Sequence, residues 1–319
     1  MKRDPTFTVA SGVTSLISNS EQAPVIKGRP IILGEVLFDQ FPGGESVLGG
    51  APFNVAWHLR GFGADPLFIS RVGKDEPGEK VRKAMEDWGL DQVGLQRDAH
   101  HPTGTVRITL DGGQPAFTIM PDQAYDHIDA PATGSVPAAI GEGGLLYHGT
   151  LVLRSAGMRK TLETLLTGSG LPIFVDVNLR SPWWNESDMP AILQRARWVK
   201  VNDDELTIIS RLPGCRTDDF MEMARCVRTA YDIHLLIVTR GGQGAVAFDE
   251  PGEAFSVAPE DSDDGIIDTV GAGDAFSAVV IMGLLRGWPV PTMMQRAQEF
   301  AGRVCRLRGA ITADSDFYR

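Results

Sequence analysis

The sequence predicts an α/β fold: a mostly parallel central sheet with helices on both faces and a small antiparallel β-flap. Three observations predict it. Short apolar runs alternate with amphipathic helical stretches, the order expected of βαβ units. Most of these runs are continuously apolar, as in strands buried on both faces. One segment, 103–120, instead alternates apolar and polar residues around Asp111-Gly112-Gly113, a hairpin with one face in water.

The elements follow in order. "PIILGEVLFD" (30–39) reads as one strand. "APFNVAWHLRGFG" (51–63) reads as a helix, with Pro52 in its first turn and Gly61 and Gly63 at its end. Residues 67–73 are a strand and 78–90 a helix. Residues 144–150, 171–178, 197–202 and 234–240 are further buried-type strands, with helical patterns between most of them, as at 156–167 and 218–230. The turn "FPGGESV" (41–47) and the 103–120 hairpin together form the flap, contributed by about 36–48 and 102–125. Such a flap suits a lid, a dimer contact, or both. Residues 1–27 are polar and Ser/Thr-rich without a continuous apolar segment, and read as a disordered or loosely attached tail. Residues 28–319 read as one domain.

Composition narrows the function classes. The 319 residues carry a net charge of −11. That balance disfavours nucleic acid and anionic membrane as partners, but not a small anion held by backbone N–H groups. No apolar run is long enough to span a bilayer. The three cysteines, Cys215, Cys226 and Cys305, have no metal-like spacing and read as thiols of a reducing, cytoplasmic protein. The six histidines form no HExxH-type cluster, so no zinc site is expected.

The chemistry concentrates in "DTVGAGDAF" (268–276), at the mouth of an apolar helix. An acid in a first helical turn can simply complement the dipole. The same physics makes a site: the N–H groups of Gly271, Ala272 and Gly273 can bind an anion, and glycine lets it approach closely. An acid beside an anion site is awkward for plain binding. It makes sense as a base for a nucleophile that attacks the anion, which assigns that role to Asp274. There is no GxxxxGK[ST] and no complete GxGxxG, so any nucleotide is held in another way.

"DTVGAGDAF" and "LGGAPFNVAWHLRGFG" (48–63) resemble the two signatures of the ribokinase-like (PfkB) carbohydrate kinases. "PTGTV" (102–106), "DVNLRSPWW" (176–184), "VKVNDDEL" (199–206), "VTRGGQGA" (238–245) and "RGAI" (308–311) fall in the order of that family's motifs, over about residues 28–319. "GEVLFD", "GGAPFNVA", "DVNLRSPWW" and "PAFTIMPDQAYD" (115–126) resemble the fructokinase subtype; Val177, where proline is usual, and Asn185 depart from it.

The resemblance implies an ATP-dependent kinase acting on a sugar primary hydroxyl, with fructose giving fructose 6-phosphate. It makes Asp274 the base and Gly271, Ala272 and Gly273 an anion hole. It places the sugar on Asp39, Gly49, Gly50 and Asn54, with Phe117 covering it from the flap and Arg180 adding positive charge. It gives the nucleotide to Lys200, Thr239, Gly241 and Gly244. Asn202 and Glu205 would hold Mg²⁺ through water, though "NDDE" also makes a good helix start. Asp268, Val270 and Gly309 belong to a stretch that resembles a K⁺ loop. It further implies a homodimer through the flap. Other acceptors stay open: 2-keto-3-deoxygluconate, ribose, a nucleoside or a sugar phosphate. So does a non-catalytic relative that binds sugar or nucleotide.

Overall fold

In the computed structural model the described residues are 26–111, 114–130, 143–167, 169–259 and 265–319. Residues 1–25 of the expected tail, and Gly112 and Gly113 of the hairpin turn, lie outside them.

The central sheet has nine strands among the described residues, in the order β13-β12-β11-β10-β9-β8-β1-β4-β5. Seven of them run parallel: β1 (Arg29–Leu33), β4 (Leu67–Gly73), β5 (Leu95–Asp98), β8 (Gly143–Gly149), β9 (Ile173–Asp176), β10 (Trp198–Asn202) and β11 (Leu235–Thr239). The edge strands β12 (Ala245–Phe248) and β13 (Ala254–Val257) are antiparallel additions that the sequence reading leaves unassigned.

Side-chain alternation along β1 shows why both faces need cover. Ile32 packs with one hydrophobic cluster, Ile31 and Leu33 with the other, and all three are fully buried. Each such side chain contributes about 1.5–3 kcal/mol relative to exposure. One face is covered by α1 (Ala51–Gly61), α2 (Glu76–Trp88), α7 (Ala272–Arg286) and α8 (Val290–Val304). The other is covered by α3 (Ala156–Leu166), α4 (Met189–Arg195), α5 (Asp203–Ile209) and α6 (Phe220–Ala230).

The flap is a separate four-stranded sheet, in the order β3-β2-β6-β7. It holds β2 (Leu37–Gln40), β3 (Ser46–Gly49), β6 (Gly104–Asp111) and β7 (Gln114–Ile119). Two antiparallel hairpins join through a parallel β2–β6 pair.

Two expectations need correction. "PIILGEVLFD" is not one strand. The chain leaves the main sheet after Leu33 and enters the flap at Leu37. The break falls at Gly34, where a Cβ would lie 2.2 Å from Pro52 Cγ. Nor are all three cysteines thiols. Cys215 and Cys226, eleven residues apart, form a disulfide between α6 and the loop before it, with Cα atoms 6.2 Å apart; Cys305 stays free. Among the described residues no helix is long and apolar enough to cross a membrane.

Candidate active site

The C-terminal ends of β1, β9, β10 and β11 converge with the N-terminus of α7, where open α/β sheets bind their ligands. Gly271 is the N-cap of α7, in left-handed conformation (φ 82°). A Cβ there would fall 2.4 Å from Ala310 Cβ. Glycine is therefore demanded twice, by conformation and by space. The Ala272 N–H turns back to Thr269 O at 3.3 Å. Gly273 and Asp274 follow in the first turn, where N–H groups have no intrahelical acceptor. Of the three amides expected to bind an anion, Ala272 is thus the one already engaged.

Asp274 is half-buried and accepts a hydrogen bond from Asn54 Nδ2 at 2.8 Å. Burial pushes its carboxyl up to about 7, and nearby Asp176 pushes the same way; the Asn54 bond, Lys200 and Arg180 oppose the rise. A carboxyl poised there can accept a proton near neutral pH.

Beneath the helix start lies a buried polar cluster. Asp176, at the end of β9, accepts from Lys200 Nζ at 2.7 Å and Ser277 Oγ at 2.8 Å, with Tyr147 OH at 3.4 Å. Lys200 is 5 % exposed, and a Cβ on Gly273 would lie 3.4 Å from its Nζ. Sequence reasoning gives Lys200 to the nucleotide; in the fold it is ion-paired with Asp176 directly under the Gly271–Gly273 turn.

Asp39, Gly49, Gly50 and Asn54 come together as a second group. A Cβ on Gly49 would lie 3.8 Å from Asp39 Oδ2 and 3.9 Å from Asn54 Oδ1. Gly50 (φ 112°) caps α1, and a Cβ there would meet Glu35 O at 2.7 Å. Asn54 is 4 % exposed and its Oδ1 has no hydrogen-bond partner. Burial raises the Asp39 carboxyl. Exposed Arg180 is the positive charge that Asp39, Asp274 and Glu35 all sense.

Sequence reasoning misses Glu35, Asp176 and Arg154. Glu35, in the break between β1 and β2, is buried with Oε2 unpartnered. Burial carries it up to about 7, and Asp274 adds to the rise. Arg154 is ion-paired to Asp126 and lies over the Tyr125 and Trp183 rings. Its Nη1 is buried without a partner, as is Tyr125 OH. Glu35 and Asp176 each interrupt an apolar run in the sequence, which is the signal that could have found them. A cavity of about 290 Å³, lined by Thr150, Arg154, Trp183 and Trp184 among others, flanks this wall.

The remaining candidates lie around this centre. Phe117 stands 62 % exposed on β7. Asn202 and Glu205 form a reciprocal cap on α5: Asn202 Oδ1 accepts from Glu205 N at 2.8 Å and Glu205 Oε2 from Asn202 N at 2.9 Å. Glu205 Oε1 also accepts from Leu179 N at 2.7 Å. Both oxygens thus face backbone donors, so any cation there is reached through water. Thr239 pairs with Asn202 across β10 and β11, and Gly241 (φ 51°) and Gly244 (φ 82°) shape the turn after it. Ile267 and Asp268 N–H both donate to Cys305 O, and Asp268 Oδ1 accepts from Val270 N at 3.0 Å. These bonds bring the 268–270 segment beside the 305–310 segment that holds Gly309.

The arrangement puts the Asp274 carboxyl in the first turn of α7, beside Asn54, with Asp39 and Gly49 close by. Comparison with known proteins identifies the family. The description pfkB family carbohydrate kinase matches residues 35–316. A fructokinase of Klebsiella pneumoniae is 31% identical over 309 residues, covering 90% of this chain and 96% of its own. Two solved structures share the fold. A fructokinase from Xylella fastidiosa with bound ATP superposes with TM-score 0.75 at 19% identity, covering 91% of this chain and 95% of its own. An aminoimidazole riboside kinase from Salmonella enterica, complexed with aminoimidazole riboside and an ATP analog, has TM-score 0.72 at 23% identity, covering 90% and 96%.

Proposed function

The chain belongs to the pfkB family of carbohydrate kinases, and from that premise we propose that it transfers the γ-phosphoryl group of ATP to the primary hydroxyl of fructose, giving fructose 6-phosphate. The observation that carries this reading is Asp274, held by Asn54 at 2.8 Å in the first turn of α7. The sugar sits on Asp39, Gly49, Gly50 and Asn54, with its reacting hydroxyl toward Asp274. Asp274 takes the hydroxyl proton as that oxygen bonds to the γ-phosphorus and the bond to ADP breaks. The Gly271–Gly273 turn, with Lys200 beneath it, receives the charge on the transferring group.

Arg180 holds negative charge near the acceptor, and Thr239, Gly241 and Gly244 line the nucleotide side. Asn202 and Glu205 would hold Mg²⁺ through water, and the ion would neutralise phosphate charge. A K⁺ at Asp268, Val270 and Gly309 would stiffen the mouth of α7. The flap covers the sugar through Phe117 and excludes water that would hydrolyse ATP. Phe117 and Phe41, both exposed on the flap side, suit a homodimer through it. The fructokinase relative supports fructose as acceptor.

The test is an ADP-release assay with Mg²⁺ and ATP against fructose, ribose, 2-keto-3-deoxygluconate, a nucleoside and fructose 6-phosphate, each with and without K⁺. The expected result is the highest kcat/KM on fructose. Preference for another acceptor replaces the sugar and keeps the Asp274 chemistry. ATP binding with no turnover on any acceptor supports a non-catalytic relative.

A further inference from the structure

The fold gathers a histidine cluster that the sequence spacing conceals. His101 precedes β6, and Asp122 and His127 follow β7, so both stems of the β6–β7 hairpin meet at its root. The two imidazole rings stack with centroids 3.6 Å apart and planes 13° from parallel. Asp122 Oδ1 lies 2.8 Å from His127 Nε2 and 3.7 Å from His101 Nε2. The three ligand atoms all fall within 4.8 Å of one another.

The support behind this cluster is ordered. His101 Nδ1 is 3.0 Å from Asp98 Oδ2, and the Asp98 side chain is fully buried. Asp98 Oδ1 accepts from the backbone N–H of His100 and His101. Arg71 Nε pairs with Asp98 Oδ2 at 2.7 Å, while Arg71 Nη1 donates to His127 O at 2.7 Å. Partly buried Arg71 therefore ties Asp98, behind His101, to the backbone of His127. With Nδ1 set against Asp98, His101 presents Nε2 on the side of Asp122. A carboxylate behind an imidazole is the usual support of a metal-ligating histidine.

We propose that His101 Nε2, His127 Nε2 and Asp122 form a binding site for a divalent transition metal of the zinc class, clipping together the two stems of the hairpin. Two imidazoles and one carboxylate suit such an ion and are a poor match for Mg²⁺. Ligand atoms bonded at about 2.0–2.2 Å sit roughly 3.3 Å apart around a tetrahedral ion, so the three atoms need only draw together, while the stacked rings must turn. The rings pivot out of their stack so that each plane contains the ion. Both imidazoles ligate through an unprotonated Nε2, any proton there being released to solvent, and a water completes the four ligands on the exposed side.

The test is a cobalt titration of the untagged, chelator-stripped full chain, read by visible absorption, with zinc competition followed by calorimetry. The expected result is one saturable site that zinc displaces and excess Mg²⁺ does not. His101→Asn and His127→Asn each abolish the cobalt spectrum in chains that retain the wild-type circular dichroism, and Cys305→Ser leaves it intact. Asp98→Asn weakens binding by about 10–100-fold. Failure of the wild type to bind cobalt, displacement by Mg²⁺, or a spectrum that survives both histidine changes overturns the proposal.

Discussion

Asp274 sits at about 7 because burial and Asp176 oppose its ionisation. A base works only when deprotonated. The rate should therefore rise with pH through about 7, and fall about tenfold per unit below it. A profile of kcat/KM that stays flat from mildly acidic to mildly alkaline pH contradicts this. Glu35 supplies a stability prediction with its own sign. Its folded value of about 7 lies above the ordinary carboxylate range. The folded state then holds a proton the unfolded chain has lost, so stability falls as pH rises from the ordinary range to about 7. Glu35→Gln removes that cost. It should raise the Tm at pH 8 and change it little at pH 4, as differential scanning calorimetry can show. These residues also show what sequence legibility means at this scale. Asp274 and Asn54 stand at helix starts and Asp39 near the end of a strand beside a turn, where their chemistry is visible. Glu35 and Asp176 hide inside apolar runs, and only the fold shows that those runs end in a site.

At the scale of elements, most strands and helices read directly from periodicity, because burial on two faces and amphipathic covering leave distinct patterns. The 67–73 strand is an example; both ends agree with β4. The 30–39 run misleads because apolar character persists while the chain changes sheets, and only Gly34 and Glu35 mark the change. The α7 mouth carries the element-scale prediction. Gly271→Ala places a Cβ against Ala310 in a left-handed conformation. It should lower both Tm and kcat, whereas Ala272→Gly should spare the turn; thermal melts and steady-state kinetics on the two variants check this. At α5, Asn202→Ala removes a capping oxygen and should cost about 0.5–2 kcal/mol of stability. Asn202→Ser should restore the cap, so any loss of Mg²⁺ affinity that persists in the serine variant separates metal binding from capping.

At the scale of the whole molecule, the parallel core positions the candidate site, and the proposed function has the flap close over it. Layer order was legible because helix and strand signals alternate. The joining of the flap's two hairpins through the parallel β2–β6 pair was not, since no local pattern encodes which distant strands meet. The Cys215–Cys226 bond was hidden for the same reason: eleven residues of loop and helix decide whether two thiols meet. The proposed homodimer would bury exposed Phe117 of the flap. Sedimentation should give a dimer, and Phe117→Asp should shift it toward monomer while the far-UV spectrum is kept. The central claim, that Asp274 takes the proton from the sugar hydroxyl, is tested most directly by Asp274→Asn turnover with saturating fructose and ATP. The account predicts a loss of kcat of about 10²–10⁴-fold or more, in a folded protein that still binds ATP; near-wild-type turnover by that variant would contradict it.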